Sequence, residues 1–285
     1  WEMEGFGSAM FRNIGQPYNS TPPMVPKEYN PIGSYYRTFT LSKNWKEKKH
    51  FLHFEGVQSA SYVWVNGKEV GYNQGAMEPA EYDITPYLKD GENSIAVKVL
   101  HYSDGSYLED QDTWRLAGIY RDVYIMSTPK THIHDYYVTT DLDENYQDAT
   151  LNIDAFVNNY TSGNFNDFNV NASLYDDKGN KITSQKLTLG DDKFSTAIEV
   201  KNPKKWSAEH PNLYTLTLEL IDSEENTIEV FSHKTGFREV EVKNKAIYVN
   251  GKPVKLNAVN SHMMHPKTGH AMDVETMRKD LTIMK

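Results

Sequence analysis

Residues 103–115, SDGSYLEDQDTWR, put four acids, a Trp, a Tyr and an Arg into thirteen positions, directly after an apolar run at 95–100. A buried strand has no use for that mixture. Carboxylates accept hydrogen bonds from hydroxyls, a guanidinium supplies a fork of donors, and an aromatic ring lies against the apolar face of a sugar. Asp112 beside Trp114 and Arg115 therefore reads as a set for holding a polyol. The competing reading is structural, with Asp104-Gly105 as a turn and the remaining acids as a solvated surface. A second constellation is NSHMMHP at 260–266, with His270 beyond it. Three histidines within nine residues raise the question of a metal, but no acid or Cys lies between them to complete a zinc set of three or four ligands. Placement after a strand-like run favours substrate contact for His262. For His265 and His270, packing or hydrogen bonding within the loop is the simpler role. Asn13, in FRNIGQPY at 11–18, offers both donor and acceptor to a hydroxyl, though Asn in a loop also serves as a turn residue. Trp206 and Tyr214, in WSAEHPNLY at 206–214, read as anchors that fasten a loop to a sandwich.

The elements that must position these residues are mostly strands. Period-two alternation at 34–40, 51–54, 62–65, 69–72, 93–100 and 121–126 predicts a first β series. Asn66-Gly67 between two of these runs is a strong hairpin signal, because both residues tolerate positive φ. Residues 83–88 predict a short turn or helix, and the Pro-rich 16–31 predicts a loop. After a pause at 126–130, a second series is expected at 136–140, 150–157, 169–175, 194–200, 213–221 and 230–237, the spacing of an immunoglobulin-sized sandwich. Residues 246–256 predict a hairpin turning at Asn250-Gly251, and 256–260 a short strand. A helix should follow, capped by Asp273, with Val274, Met277, Leu281 and Met284 as its apolar stripe. A strand, a loop and a helix make the first unit of a βα fold, and one such unit cannot bury its own stripe.

Composition narrows the function classes. At 285 residues the chain is long enough for two domains. A net charge of −9 argues against nucleic acid and against an anionic membrane surface. No cysteine is present, which removes disulfides, thiolate nucleophiles and Cys-bound zinc. No apolar run approaches the ~18 residues of a membrane span, and residues 1–11 lack the basic start and apolar core of a signal peptide. The opening Trp without an initiator Met reads as an excised or processed piece, and the compartment stays open between cytoplasm and periplasm or exterior. Phosphate loops, nucleophile elbows and redox motifs are not found.

Several stretches, in order, resemble the β-galactosidases of glycoside hydrolase family 2. They are WEMEGF at 1–6, FEGV at 54–57, WVNG at 64–67, the whole of 103–122, NPKKWSAE at 202–209, PNLY at 211–214, GFRE at 236–239 and NGKP at 250–253. The resemblance implies a mainly β chain in three parts. A jelly-roll (galactose-binding-like) sandwich over 1–128 would lack its first strands. An immunoglobulin-like β-sandwich would cover 129–238, and 239–285 would be the truncated start of a (β/α)8 TIM barrel. It also implies a retaining enzyme whose two glutamates, roughly 5.5 Å apart, lie inside the barrel, beyond Lys285. By resemblance Asn13, Asp112 and His262 are substrate-binding residues. Asp112 would also contact a sodium ion, and no residue of this chain is catalytic.

No cofactor is implied for the chain itself, while sodium and magnesium belong to the full-length enzyme. The implied partners are a galactoside, the chain's own catalytic barrel and a homo-oligomer. The family commonly has RGVNRH followed by an acid or His before His-Pro, where this chain has Asn257, Ser261, Met263 and Met264. Loss of two arginines and gain of two methionines puts lactose preference in doubt. Two rival readings stay open: a stand-alone carbohydrate-binding module, and another family 2 glycosidase such as a β-glucuronidase or β-mannosidase.

Overall fold

The computed structural model describes every residue except 12, 14–20, 110–112 and 191–192. Two compact units emerge, residues 1–127 with 259–285, and residues 128–258. The first unit carries β1 (Ile32–Thr40), β2 (Lys49–Phe54), β3 (Val57–Gln58), β4 (Ala60–Val65), β5 (Lys68–Asn73), β6 (Ala80–Asp83), β7 (Glu92–Leu100), β8 (Gly118–Ile119) and β9 (Val123–Thr128). They form one sheet in the order β1-β7-β4-β5, a second in the order β6-β2-β9, and the short pair β3-β8. Alternation explains the core: in β4, Val63 and Val65 are fully buried while Tyr62 and Trp64 take the other face. Leu52 and Phe54 from the second sheet close over Val63, Val65, Val97 and Val99 from the first. The turn between β4 and β5 is the expected one, with Asn66 at φ 51° and Gly67 at φ 77°. Asn66 then fastens the hairpin to its neighbour, accepting from the Ser94 amide at 3.0 Å and donating to Asn93 Oδ1 at 2.8 Å.

The second unit adds β10 (Thr131–Leu142), β11 (Ala149–Asn159), β12 (Asn169–Tyr175), β13 (Lys181–Lys186), β14 (Thr188–Leu189), β15 (Phe194–Val200), β16 (Tyr214–Ile221) and β17 (Thr227–Thr235). Sheets in the order β10-β11-β15-β14 and β13-β12-β16-β17 enclose a core that includes Leu151, Ile153, Leu174, Leu216, Leu218 and Phe237. Trp206 does anchor its loop. Its amide donates to the Phe237 carbonyl at 2.8 Å, and the Arg238 guanidinium sits 4.7 Å from its ring centre. Tyr214 helps through its hydroxyl, which accepts from the Lys204 amide at 2.8 Å. The expected hairpin becomes a three-stranded ribbon of β18 (Val240–Lys243), β19 (Ala246–Val249) and β20 (Lys252–Val254), turning at Asn250 and Gly251 with φ of 50° and 72°.

Residues 256–260 do not form the expected strand. A parallel barrel strand is held by its neighbours on both sides, and a single βα unit supplies none. Among the described residues the α-helices are the single turn α1 (Ser106–Glu109) and α2 (Val274–Met284), the latter capped as expected by Asp273, which accepts from the Thr276 amide at 2.8 Å. Of the α2 stripe only Met277 is half-buried; Val274, Leu281 and Met284 are more than half exposed.

Just past β7, His101 is buried at 8 % exposure, and its pKa is lowered to about 4, first by desolvation and then by the chain's terminal ammonium. Its Nδ1 lies 3.3 Å from Glu2 Oε1, a contact that alone would favour the charged ring; burial outweighs it. An unfolded histidine titrates near 6.5 and this one near 4, so protons favour the unfolded chain across that window. Stability is full above pH 6.5 and declines towards pH 4, by up to about 3 kcal/mol from this group. Melting curves of the chain and of His101→Gln should therefore differ less at pH 4.5 than at pH 7. A difference independent of pH would contradict the buried neutral ring.

Candidate functional site

A cavity of about 890 Å³ opens within the first unit, where the Asp-rich loop meets the His262 turn. Its floor is set by the FEGV segment. The Tyr120 amide donates to the Gly56 carbonyl at 3.3 Å, and the Glu55 amide to the Asp122 carbonyl at 3.0 Å, so 119–122 runs along 55–58. Gly56 is required there, because a Cβ would stand 2.6 Å from the Tyr120 ring carbon Cζ. Tyr120 is further held by its hydroxyl, which donates to the Ala76 carbonyl at 2.7 Å.

The loop itself divides. Asp104 belongs to a turn, accepting from its neighbour's amide at 3.0 Å and from Gln74 Nε2 at 2.6 Å, as the structural reading expected. Helix α1 then carries Glu109 to the cavity wall. Glu109 Oε1 accepts from the Ala76 amide at 3.1 Å, while Oε2 is buried with no hydrogen-bond partner among the described residues. Desolvation is the leading reason that its pKa is raised; the Ala76 hydrogen bond opposes the shift and Glu78 adds to it.

Of the residues expected to bind substrate, His262 is exposed and lines the cavity. Asp112 lies outside the described residues. Asn13 is exposed and is not part of the cavity wall, but its segment reaches the loop: the Arg115 amide donates to the Met10 carbonyl at 3.2 Å, and the Phe11 ring meets Trp114 edge-on at 5.0 Å. One expectation is corrected. Arg115 is only 4 % exposed and is absent from the cavity wall, so its guanidinium is no open donor fork. Trp114 is half-buried beside the Phe11 ring. His265 does serve its loop, its Nδ1 accepting from the Lys267 and Thr268 amides at 3.2 Å each. His270 goes further than expected and lines the cavity, 3.5 Å from Thr113 Oγ1 and edge-on to Tyr120 at 5.8 Å. Burial lowers its pKa, so the ring is neutral at pH 7.

Glu109, Tyr120 and Met77 were not singled out from the sequence. The signal available was indirect: a glycine beside an acid at 55–56 marks a close approach whose partner only the fold reveals. Among the described residues no group of three or more His, Asp or Glu is placed to hold a metal ion, and no helix is long and apolar enough to cross a membrane.

Residues 1–129 match the sugar binding domain of the glycosyl hydrolases of family 2, residues 131–238 the central model of that family, and residues 240–285 its TIM barrel domain. A β-galactosidase of Priestia megaterium is 42 % identical over all of this chain, and one of Pseudoalteromonas haloplanktis 40 %; in each case the match covers 28 % of the relative. The chain thus spans little more than a quarter of the length of these relatives. The solved structure of a Bacteroides uniformis β-glucuronidase aligns over 90 % of this chain and 32 % of its own, with a TM-score of 0.79 and 28 % identity. With three successive family models matched along its length, this chain belongs to glycoside hydrolase family 2, comprising the sugar-binding sandwich, the immunoglobulin-like sandwich and the start of the barrel.

Proposed function

We propose that this chain is the non-catalytic N-terminal portion of a retaining β-galactosidase that hydrolyses terminal β-galactosides. Its parts would be the sugar-binding domain at 1–128, the sandwich at 129–238 and the barrel's opening at 239–285. Asn13, Asp112 and His262 contribute to the galactose pocket, and the two glutamates come from the barrel that follows. The observation that carries this reading is the cavity itself, which joins the Asp-rich loop of the first sandwich to the histidine turn at the barrel's start. Such a site needs both segments, and neither alone encloses a sugar.

Charge supports galactose over a uronic acid. Among the described residues the wall carries the carboxyl groups of Glu55, Glu109, Asp122 and Asp273 against the guanidinium of Arg121, a poor setting for a substrate carboxylate. The barrel-domain match argues against a stand-alone binding module. Sodium at Asp112 and magnesium elsewhere in the full-length enzyme belong to the proposal as ions, and no step is routed through them. The partner of these domains is the catalytic barrel of the same chain, and a homo-oligomer is the assembly the reading admits. The test is a panel of nitrophenyl β-D-galactoside, β-D-glucuronide and β-D-mannoside with the full-length enzyme. Galactoside turnover well above the other two is expected; preference for the glucuronide or mannoside would overturn the assignment.

A further inference from the structure

One buried peptide joins separate parts of the cavity wall. Ala76, in the loop between β5 and β6, is fully buried, so its backbone groups depend on protein partners. Its amide donates to Glu109 Oε1 at 3.1 Å, and its carbonyl accepts from the Tyr120 hydroxyl at 2.7 Å. Glu109 ends α1 and Tyr120 directly follows β8, and both line the cavity. The Tyr120 ring meets His270 edge-on at 5.8 Å, and His270 Nε2 lies 3.5 Å from Thr113 Oγ1. In sequence, Glu109 and Thr113 flank 110–112. Both flanks of the acid-rich loop are therefore tied to Ala76, one directly and the other through Tyr120 and His270.

We propose that Glu109 and Tyr120 are positioning residues for sugar binding, which act through the Ala76 peptide to hold the flanks of the acid-rich loop against the cavity floor. The inference rests on the galactosidase reading, in which Asp112 of that loop meets the sugar, and adds to it two residues that act through others. The clip has little play. Helix α1 is fixed at its start as well as its end, because the buried Ser106 hydroxyl accepts from the Ser103 amide at 3.1 Å. The other contact of the Tyr120 hydroxyl is Met77 sulfur at 3.5 Å, a weak acceptor, so the Ala76 carbonyl is what fixes the ring. Removing either side chain leaves one Ala76 backbone group buried and unpaired. The clip uses an acceptor oxygen rather than a charge. Burial favours the neutral form of Glu109, and a protonated carboxyl still offers its carbonyl oxygen to the Ala76 amide.

The test uses the full-length enzyme and reads the inhibition constant of D-galactose, with KM and kcat for nitrophenyl β-D-galactoside and the melting temperature beside it. Glu109→Ala should raise the inhibition constant about tenfold and Tyr120→Phe several-fold, the scale of one lost hydrogen bond. The loss should sit in KM rather than kcat, because a displaced loop weakens ground state and transition state alike. Glu109→Gln keeps an oxygen for the Ala76 amide and should recover most of the lost affinity. In Glu109→Ala/Tyr120→Phe the inhibition constant should rise by less than the product of the single effects, because both act through one peptide. A lowered melting temperature with an unmoved inhibition constant would make the clip structural only and overturn the inference. Single effects that multiply, or a Gln variant as impaired as the Ala variant, would overturn it too. If Glu109→Ala fails to fold, Tyr120→Phe decides, since it removes one hydroxyl only: an inhibition constant unchanged there overturns the inference, and a several-fold rise upholds it. A parent enzyme that neither hydrolyses the nitrophenyl galactoside nor is inhibited by galactose would remove the galactosidase reading and this inference with it.

Discussion

The full-length enzyme carrying His262→Ala is expected to lose at least about a hundredfold in kcat/KM towards an aryl β-galactoside, the scale of removing one polar group that meets the transition state. His262 is exposed and lines the cavity, and its ring packs against no other ring among the described residues. The melting temperature should therefore hold while activity falls. The loss should sit mainly in kcat rather than KM if the ring meets the sugar most closely at the transition state. Equal kcat/KM for the variant and the parent enzyme would remove His262 from the site. A large drop in melting temperature would reassign it to structure.

Phe237→Ala should be the most damaging single truncation in the second unit, by about 3–5 kcal/mol. The ring is fully buried, meets Tyr214 edge-on at 5.0 Å, and belongs to the cluster with Leu151, Leu216 and Leu218. Its backbone carbonyl also accepts from the Trp206 amide, so the cavity left behind lies at the residue that holds the Trp206 loop. Chemical denaturation of the chain should show the midpoint of this unit shifted far down, with the slope unchanged. A loss below about 1 kcal/mol would mean that neighbouring side chains collapse into the space, contrary to the packing described.

What could be read from residues alone follows from how local each signal is. Asn66-Gly67 and Asn250-Gly251 announced their turns because both positions need positive φ, and both have it. Strand β11 was legible because its residues alternate between buried and half-buried from Ala149 onwards. Strand β13 was not: five of its six residues are exposed, so KITSQK carries no alternation to detect. At 256–260 the pattern suggests a strand, but pairing is a property of neighbours the segment does not have here. The site shows the same division. The acid-rich loop and His262 stood out by type and spacing, whereas Tyr120 enters the cavity only because Gly56 lets it pack close. Arg115 was misread since a guanidinium beside acids looks alike in a sequence whether it faces water or is buried.

The most direct test of the central claim compares this chain alone with the full-length enzyme, at equal molarity, on nitrophenyl β-D-galactoside. The account predicts turnover by the full-length enzyme and none above background by residues 1–285, because it places both glutamates of the retaining pair in the barrel beyond Lys285. Hydrolysis by the isolated chain would contradict it, because the chemistry would then reside in residues assigned here only to binding.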